Sequence, residues 1–99
     1  MCGAPAQAQG LPAGTDLSTQ TVLVGKVLAD GHPVGGAFVR LLDGTGEFTA
    51  EVVSSASGDF RFFSAPGTWT LRVLSRSGNG DARVDAAAPG LHEVDVLLA

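Results

Sequence analysis

The residue best suited to chemistry in this sequence is Cys2. It is the one cysteine of the chain, so it forms no internal disulfide, whereas small extracellular domains ordinarily lean on disulfides. A small side chain at position 2 generally permits removal of Met1, which leaves an α-amino group beside the thiol. A free thiol titrates near about 8.5. An adjacent ammonium favours the thiolate, which is the nucleophilic form. Residues 1–20, MCGAPAQAQGLPAGTDLSTQ, are rich in Ala, Gln, Gly and Pro and carry neither strand nor helix periodicity. Pro5 and Pro12 oppose a helix there. A flexible leader of about 18 residues reaches roughly 23 Å. These features predict an arm that presents a thiol to another protein's active site and accepts a sulfane sulfur as a persulfide. The alternative is a tail residue with no chemistry.

The other reactive side chains form weaker constellations. His32 precedes Pro33 in a turn and His92 opens a strand, and neither has a Cys, His or Asp at zinc-ligand spacing. Asp43, Glu47, Glu51, Asp59 and Asp81 flank glycine turns, a setting that can hold calcium, but no Asp-x-Asp-x-Asp run is present. Ser77-Gly78-Asn79-Gly80-Asp81 is glycine-rich, yet no lysine and no helix follows it, so it reads as a hairpin turn and not a phosphate loop. No order of Ser, His and Asp suggests a triad. The expectation is therefore no metal, no cofactor and no enzymatic activity. A net charge of −4 with six scattered Lys and Arg argues against nucleic acid. No apolar run approaches the ~20 residues a membrane helix requires. Met1-Cys2-Gly3-Ala4-Pro5 has neither the basic nor the apolar region of a secretory leader. The expected compartment is the cytoplasm.

The elements that must position these groups are strands. Ninety-nine residues, 44% apolar and 16% charged, suit one packed domain. From Thr21 onward, short apolar runs alternate with turn signals about every 8–12 residues, the pattern of a sandwich or barrel. The strands expected are 21–29, 37–42, 47–54, 59–64, 68–76, 81–87 and 92–98. Period-two alternation turns Leu23, Gly25 and Val27 inward, with Ala37, Val39 and Leu41, Phe60 and Phe62, Trp69, Leu71 and Val73, and Val94, Val96 and Leu98. Arg40 and Arg72 fall on the opposite phase, as do Phe38, Leu42, Phe63, Leu74, Val22 and Val24. A face that mixes apolar groups with arginines is a candidate interface. Val22 and Val24 have a simpler explanation, that the leader covers them.

Two resemblances extend these observations. Gly25-Lys26-Val27, Gly36-Ala37-Phe38-Val39-Arg40-Leu41, Ser57-Gly58-Asp59-Phe60-Arg61-Phe62 and Pro66-Gly67-Thr68-Trp69-Thr70-Leu71 come in order. Together they resemble the carboxypeptidase regulatory-like, or transthyretin-like, β-sandwich. That fold also hosts hydroxyisourate hydrolases, which carry a C-terminal Tyr-Arg-Gly-Ser motif. This chain has no tyrosine, so the hydrolase activity does not carry over. Nearly end to end, the chain is similar to the SseC-like family of short actinobacterial proteins. The similarity is carried by Met1-Cys2-Gly3-Ala4-Pro5, by 35–43, 47–53 and 58–63, by Gly78-Asn79-Gly80-Asp81 and by His92-Glu93-Val94-Asp95-Val96. Genes of that family typically lie beside thiosulfate sulfurtransferase genes, so the resemblance implies sulfur metabolism by association and supplies no catalytic residues.

The sequence thus predicts an all-β protein with a flexible arm over 1–20. Residues 21–99 form a seven-stranded Greek-key sandwich of transthyretin or carboxypeptidase regulatory-like type. The expected function is that of a non-enzymatic accessory or sulfur carrier for a rhodanese-type sulfurtransferase, with Cys2 as acceptor. Phe38, Leu42, Phe63, Leu74, Arg40 and Arg72 are the docking or homodimer surface. The alternative function is a structural or protein-binding module with no chemistry of its own.

Overall fold

The alternating runs form strands throughout the computed structural model, which describes residues 14–99. Among the described residues there is no helix. In chain order the strands are β1 (Thr21–Ala29), β2 (His32–Pro33), β3 (Phe38–Leu42), β4 (Phe48–Val53), β5 (Asp59–Ser64), β6 (Gly67–Ser75), β7 (Gly78–Ala86), β8 (Gly90–Glu93) and β9 (Val96–Leu97). They make two sheets. β1 is the axis of the first. It pairs antiparallel with β5, from Thr21 opposite Ser64 to Lys26 opposite Asp59, and parallel with β8 and then β9. β2 folds back on the end of β1 across Asp30-Gly31, both of which have positive φ (52° and 79°). That is the backbone a two-residue hairpin demands of an Asp-Gly pair. The second sheet has the order β4-β3-β6-β7, antiparallel throughout.

The predicted inward faces meet between these sheets. Leu23, Val27, Ala37, Val39, Leu41, Phe60, Phe62, Trp69, Leu71, Val73, Ala86 and Val96 form one buried cluster, with Val94 and Leu98 packed against it. Fully burying each large side chain contributes roughly 1.5–3 kcal/mol, most of which offsets the entropy of ordering the chain. The Trp69 indole N–H donates to the Ala65 carbonyl at 2.9 Å, so the ring is buried with its polar atom satisfied. Ser54, just after β4, does similar work against the loop before β3. Its buried hydroxyl donates to the Val34 carbonyl at 2.7 Å and accepts from the Ala37 N–H at 2.9 Å.

The strand count differs from the seven expected, for identifiable reasons. β2 is an added two-residue ladder. The expected last strand, 92–98, is two strands because its backbone steps over Gly25. A side chain at Gly25 would drive into the Val94 carbonyl and lie 2.9 Å from the Phe60 ring. At that step the Val94 N–H still donates to Val24 at 2.8 Å, and the Asp95 carboxylate accepts the Lys26 N–H at 3.0 Å. The Gly78-Asn79-Gly80 run also differs from its expected role as a turn, since it lies within β7. Side chains at Gly78 and Gly80 would strike the Ala99 and Leu97 carbonyls, and the Ala99 N–H donates to the Asn79 carbonyl at 3.0 Å. These glycines let the end of the chain cross from the first sheet onto the edge of the second.

Of the expected leader, residues 14–20 are described, and they form a turn that leads into β1. The Asp16 carboxylate accepts the Ser18 N–H at 2.9 Å and the Ser18 hydroxyl at 2.6 Å. The Gly90 N–H donates to the Gln20 carbonyl at 2.8 Å, which ties this turn to β8. The rest of the predicted arm lies outside the described residues. Val22 is fully buried and Val24 half-buried.

Candidate functional site

The outward face of the β4-β3-β6-β7 sheet gathers most of the predicted interface residues, in rows set by register. One row runs Val53, Phe38, Leu74, Asn79, and the next runs Glu51, Arg40, Arg72, Asp81. Their opposites in phase, Val39, Leu41, Leu71 and Val73, are buried in the core, so alternation forces these rows outward. Phe38 is 49% exposed although it sits in an interior strand of the sheet. Arg40 and Arg72 stand directly opposite each other across β3 and β6. Each is flanked by an acid. The Arg40 Nε donates to Glu51 at 2.8 Å, and an Arg72 terminal nitrogen lies 3.8 Å from the Asp81 carboxylate. A shallow depression of about 290 Å³, lined by Arg72, Leu74, Asn79, Gly80 and Asp81, adjoins the arginine row.

Two expected members add no open surface to this face. Phe63 lies on β5, in the other sheet, opposite Val22. It is 46% exposed, but the outward faces of two stacked sheets point in opposite directions, so Phe63 and Phe38 cannot share one flat surface. Leu42 is buried, at 7%, and so offers no exposed surface there. Its pairing opposite Thr70 keeps it in the outward phase, while the register shift in β4 skips Thr49 and sets Phe48 opposite it. Two apolar residues of β4 went unpredicted. Val53 extends the apolar row beside Phe38, and Phe48, 60% exposed, lies opposite Leu42. Their signal was the apolar content of Glu47–Ser54, which lacks the clean alternation that would assign its faces.

The remaining candidates are held in local structure. Cys2 lies outside the described residues. His32 is exposed in β2, and a ring nitrogen of His92 lies 2.8 Å from the Ala88 carbonyl. Asp43 closes its own turn, accepting the Thr45 hydroxyl at 2.7 Å and the N–H groups of Thr45 and Glu47 at 2.9 and 3.0 Å. The Thr45 hydroxyl, followed by the Glu47 and Thr45 N–H groups, lowers its pKa below the ordinary carboxylate value. Asp59 is committed to the Lys26 ammonium at 2.7 Å. Among the described residues no three His, Cys, Asp or Glu converge as a metal site would require.

Architecture and surface together define a small two-sheet β protein with Phe38, Leu74, Arg40 and Arg72 on the outward face of one sheet. The chain belongs to the family described as "Protein of unknown function (DUF1416)", whose model matches residues 2–98. Relatives include the uncharacterized proteins Rv0814c and Rv3118 of Mycobacterium tuberculosis. Each is 63% identical over 99 residues, covering 99% of both chains. An uncharacterized protein of Mycolicibacterium smegmatis is 62% identical over 90 residues, which is 90% of this chain and 100% of its own length. Among solved structures, a DUF3823 family protein from Parabacteroides merdae is similar with a TM-score of 0.64 and 16% identity, over 81% of this chain and 46% of its own. Catechol 1,2-dioxygenase from Pseudomonas arvilla C-1 is similar with a TM-score of 0.55 and 13% identity, over 88% of this chain and 55% of its own. At these identities the likeness concerns the fold, a β-sandwich, and not activity.

Proposed function

We propose that this chain is a non-enzymatic accessory module that docks a thiosulfate sulfurtransferase through the Phe38–Arg40–Arg72–Leu74 face and offers Cys2 as an acceptor of sulfane sulfur. The observation that carries the docking half is Phe38. A phenylalanine left half exposed in an interior strand, in register with Leu74 and beside two arginines, has the make-up of an interface centre. The chemical half rests on the thiol at position 2 and on the gene neighbourhood that the SseC-like resemblance implies. In the transfer, the Cys2 thiolate attacks the terminal sulfur of the partner's cysteine persulfide. A new S–S bond forms on Cys2, the donor's S–S bond breaks, and the partner cysteine leaves as thiolate, with no net oxidation. The cytoplasm, which keeps thiols reduced, suits this chemistry. The strand order is proposed to be the Greek-key arrangement of the transthyretin and carboxypeptidase regulatory-like sandwiches.

The same face supports a second function, a binding module for which Cys2 is incidental. One experiment separates the two. The chain is mixed with a thiosulfate sulfurtransferase and thiosulfate, then examined by size-exclusion chromatography and intact mass. Co-elution and a gain of about 32 Da on Cys2 support the carrier. Co-elution that Cys2→Ala leaves intact, without the mass gain, supports the binding module alone. Absence of both co-elution and mass gain rejects this partner.

A further inference from the structure

The arginine row also specifies the chemistry of what docks there, an inference that rests on the docking face proposed above. Arg40 and Arg72 are in register on adjacent strands, and like charges so placed repel each other. Their own acids answer this only in part. Glu51 engages Arg40 at its Nε, and Asp81 is 3.8 Å from Arg72, beyond hydrogen-bond reach. Both arginine side chains stay open to solvent, at 45% and 52% exposure. A carboxylate set between the two guanidinium groups would accept from both and relieve the repulsion.

The neighbouring row fixes the spacing. Phe38 and Leu74 lie two residues along the same strands from Arg40 and Arg72, a step of about 6.7 Å. An extended chain advances by the same distance over two residues, and those two side chains point to the same side. We infer that the face binds an extended segment of the partner in which an apolar residue and an Asp or Glu are separated by one residue. The apolar side chain packs on Phe38, Leu74 and Val53, and the carboxylate bridges Arg40 and Arg72.

The test uses the full chain, labelled with nitrogen-15, and a short blocked peptide carrying phenylalanine, serine and glutamate in succession. Two control peptides replace the glutamate with glutamine or with lysine. At millimolar concentration the glutamate peptide is expected to shift the backbone amides of 38–42 and 70–76. It should bind about tenfold more tightly than the glutamine peptide, the value of a charge-assisted hydrogen bond of modest strength. Added salt shrinks that difference, and Arg40→Gln with Arg72→Gln removes it. The salt series needs no variant, so a folding defect in the double variant leaves the test intact. Equal binding of the three peptides through 38–42 and 70–76 overturns acid recognition while leaving the docking face in place. Shifts confined to other residues, or none while the sulfurtransferase still protects this face, overturn the segment proposed. Absence of protection by the sulfurtransferase as well removes the docking face itself. A dimer dissolved by Phe38→Asp would seat a second copy on this face and likewise overturn the inference.

Discussion

Replacing Gly25 with alanine tests the packing logic most sharply, because two ordinary considerations predict the opposite sign. Gly25 is not among the residues with positive φ, so alanine fits its backbone. Gly→Ala at a compatible site commonly stabilises by about 0.4–1 kcal/mol through the unfolded state. The structure predicts a loss instead. The added methyl would drive into the Val94 carbonyl and come within 2.9 Å of the Phe60 ring, so the β8–β9 step must lift away from β1. Lifting breaks the Val94 N–H bond to Val24 and the Lys26 N–H bond to Asp95, at about 1 kcal/mol each. It also exposes Val96, now fully buried, for a further 1.5–3 kcal/mol or so. After the unfolded-state gain, the net loss is about 2.5–4.5 kcal/mol. At roughly 4–8 °C per kcal/mol for a domain of this size, Tm should fall by at least about 10 °C in a reversible thermal melt. A Tm equal to or above that of the wild type would refute the placement of Val94 over Gly25.

Ser54→Ala strands the Val34 carbonyl and the Ala37 N–H, both bonded to the buried Ser54 hydroxyl. It should cost about 2–4 kcal/mol in urea unfolding, where a loss below about 0.5 kcal/mol would contradict those bonds. The Thr45 hydroxyl and the Glu47 and Thr45 N–H groups hold the folded-state pKa of Asp43 below that of an ordinary aspartate. The Asp43 turn is therefore fully stabilised above the unfolded value and loses that contribution as pH falls through the folded one. Carboxyl NMR should show Asp43 titrating below an unstructured aspartate, and a midpoint at or above it would contradict the Thr45 and Glu47 contacts. Phe38→Asp, at an exposed position, should leave stability within about 1 kcal/mol of wild type while abolishing partner binding. Retained binding would remove Phe38 from the interface.

Alternation along single strands was enough to name the core, since inward and outward phases are local properties. Val39, Leu41, Leu71 and Val73 went inward, and Phe38, Arg40, Arg72 and Leu74 went outward, as read. Sheet membership is not local. Phe38 and Phe63 have equal claims to an outer face by phase, and only the pairing of β5 with β1 puts them on opposite sides of the molecule. Leu42 escaped because its phase is outward, opposite Thr70, and phase alone does not say what covers a side chain. Gly25, Gly78 and Gly80 did carry a signal, that something approaches the backbone closely. Its source, the carbonyls of Val94, Ala99 and Leu97, is distant in sequence, so Gly78 and Gly80 read as an ordinary turn.

Hydrogen–deuterium exchange of the chain with and without a thiosulfate sulfurtransferase bears on the docking face directly. Protection concentrated in 38–42, 48–53 and 70–76, lost in Phe38→Asp, is the predicted result. Protection centred instead on Phe63 and Leu91, or no change on any strand, would contradict it.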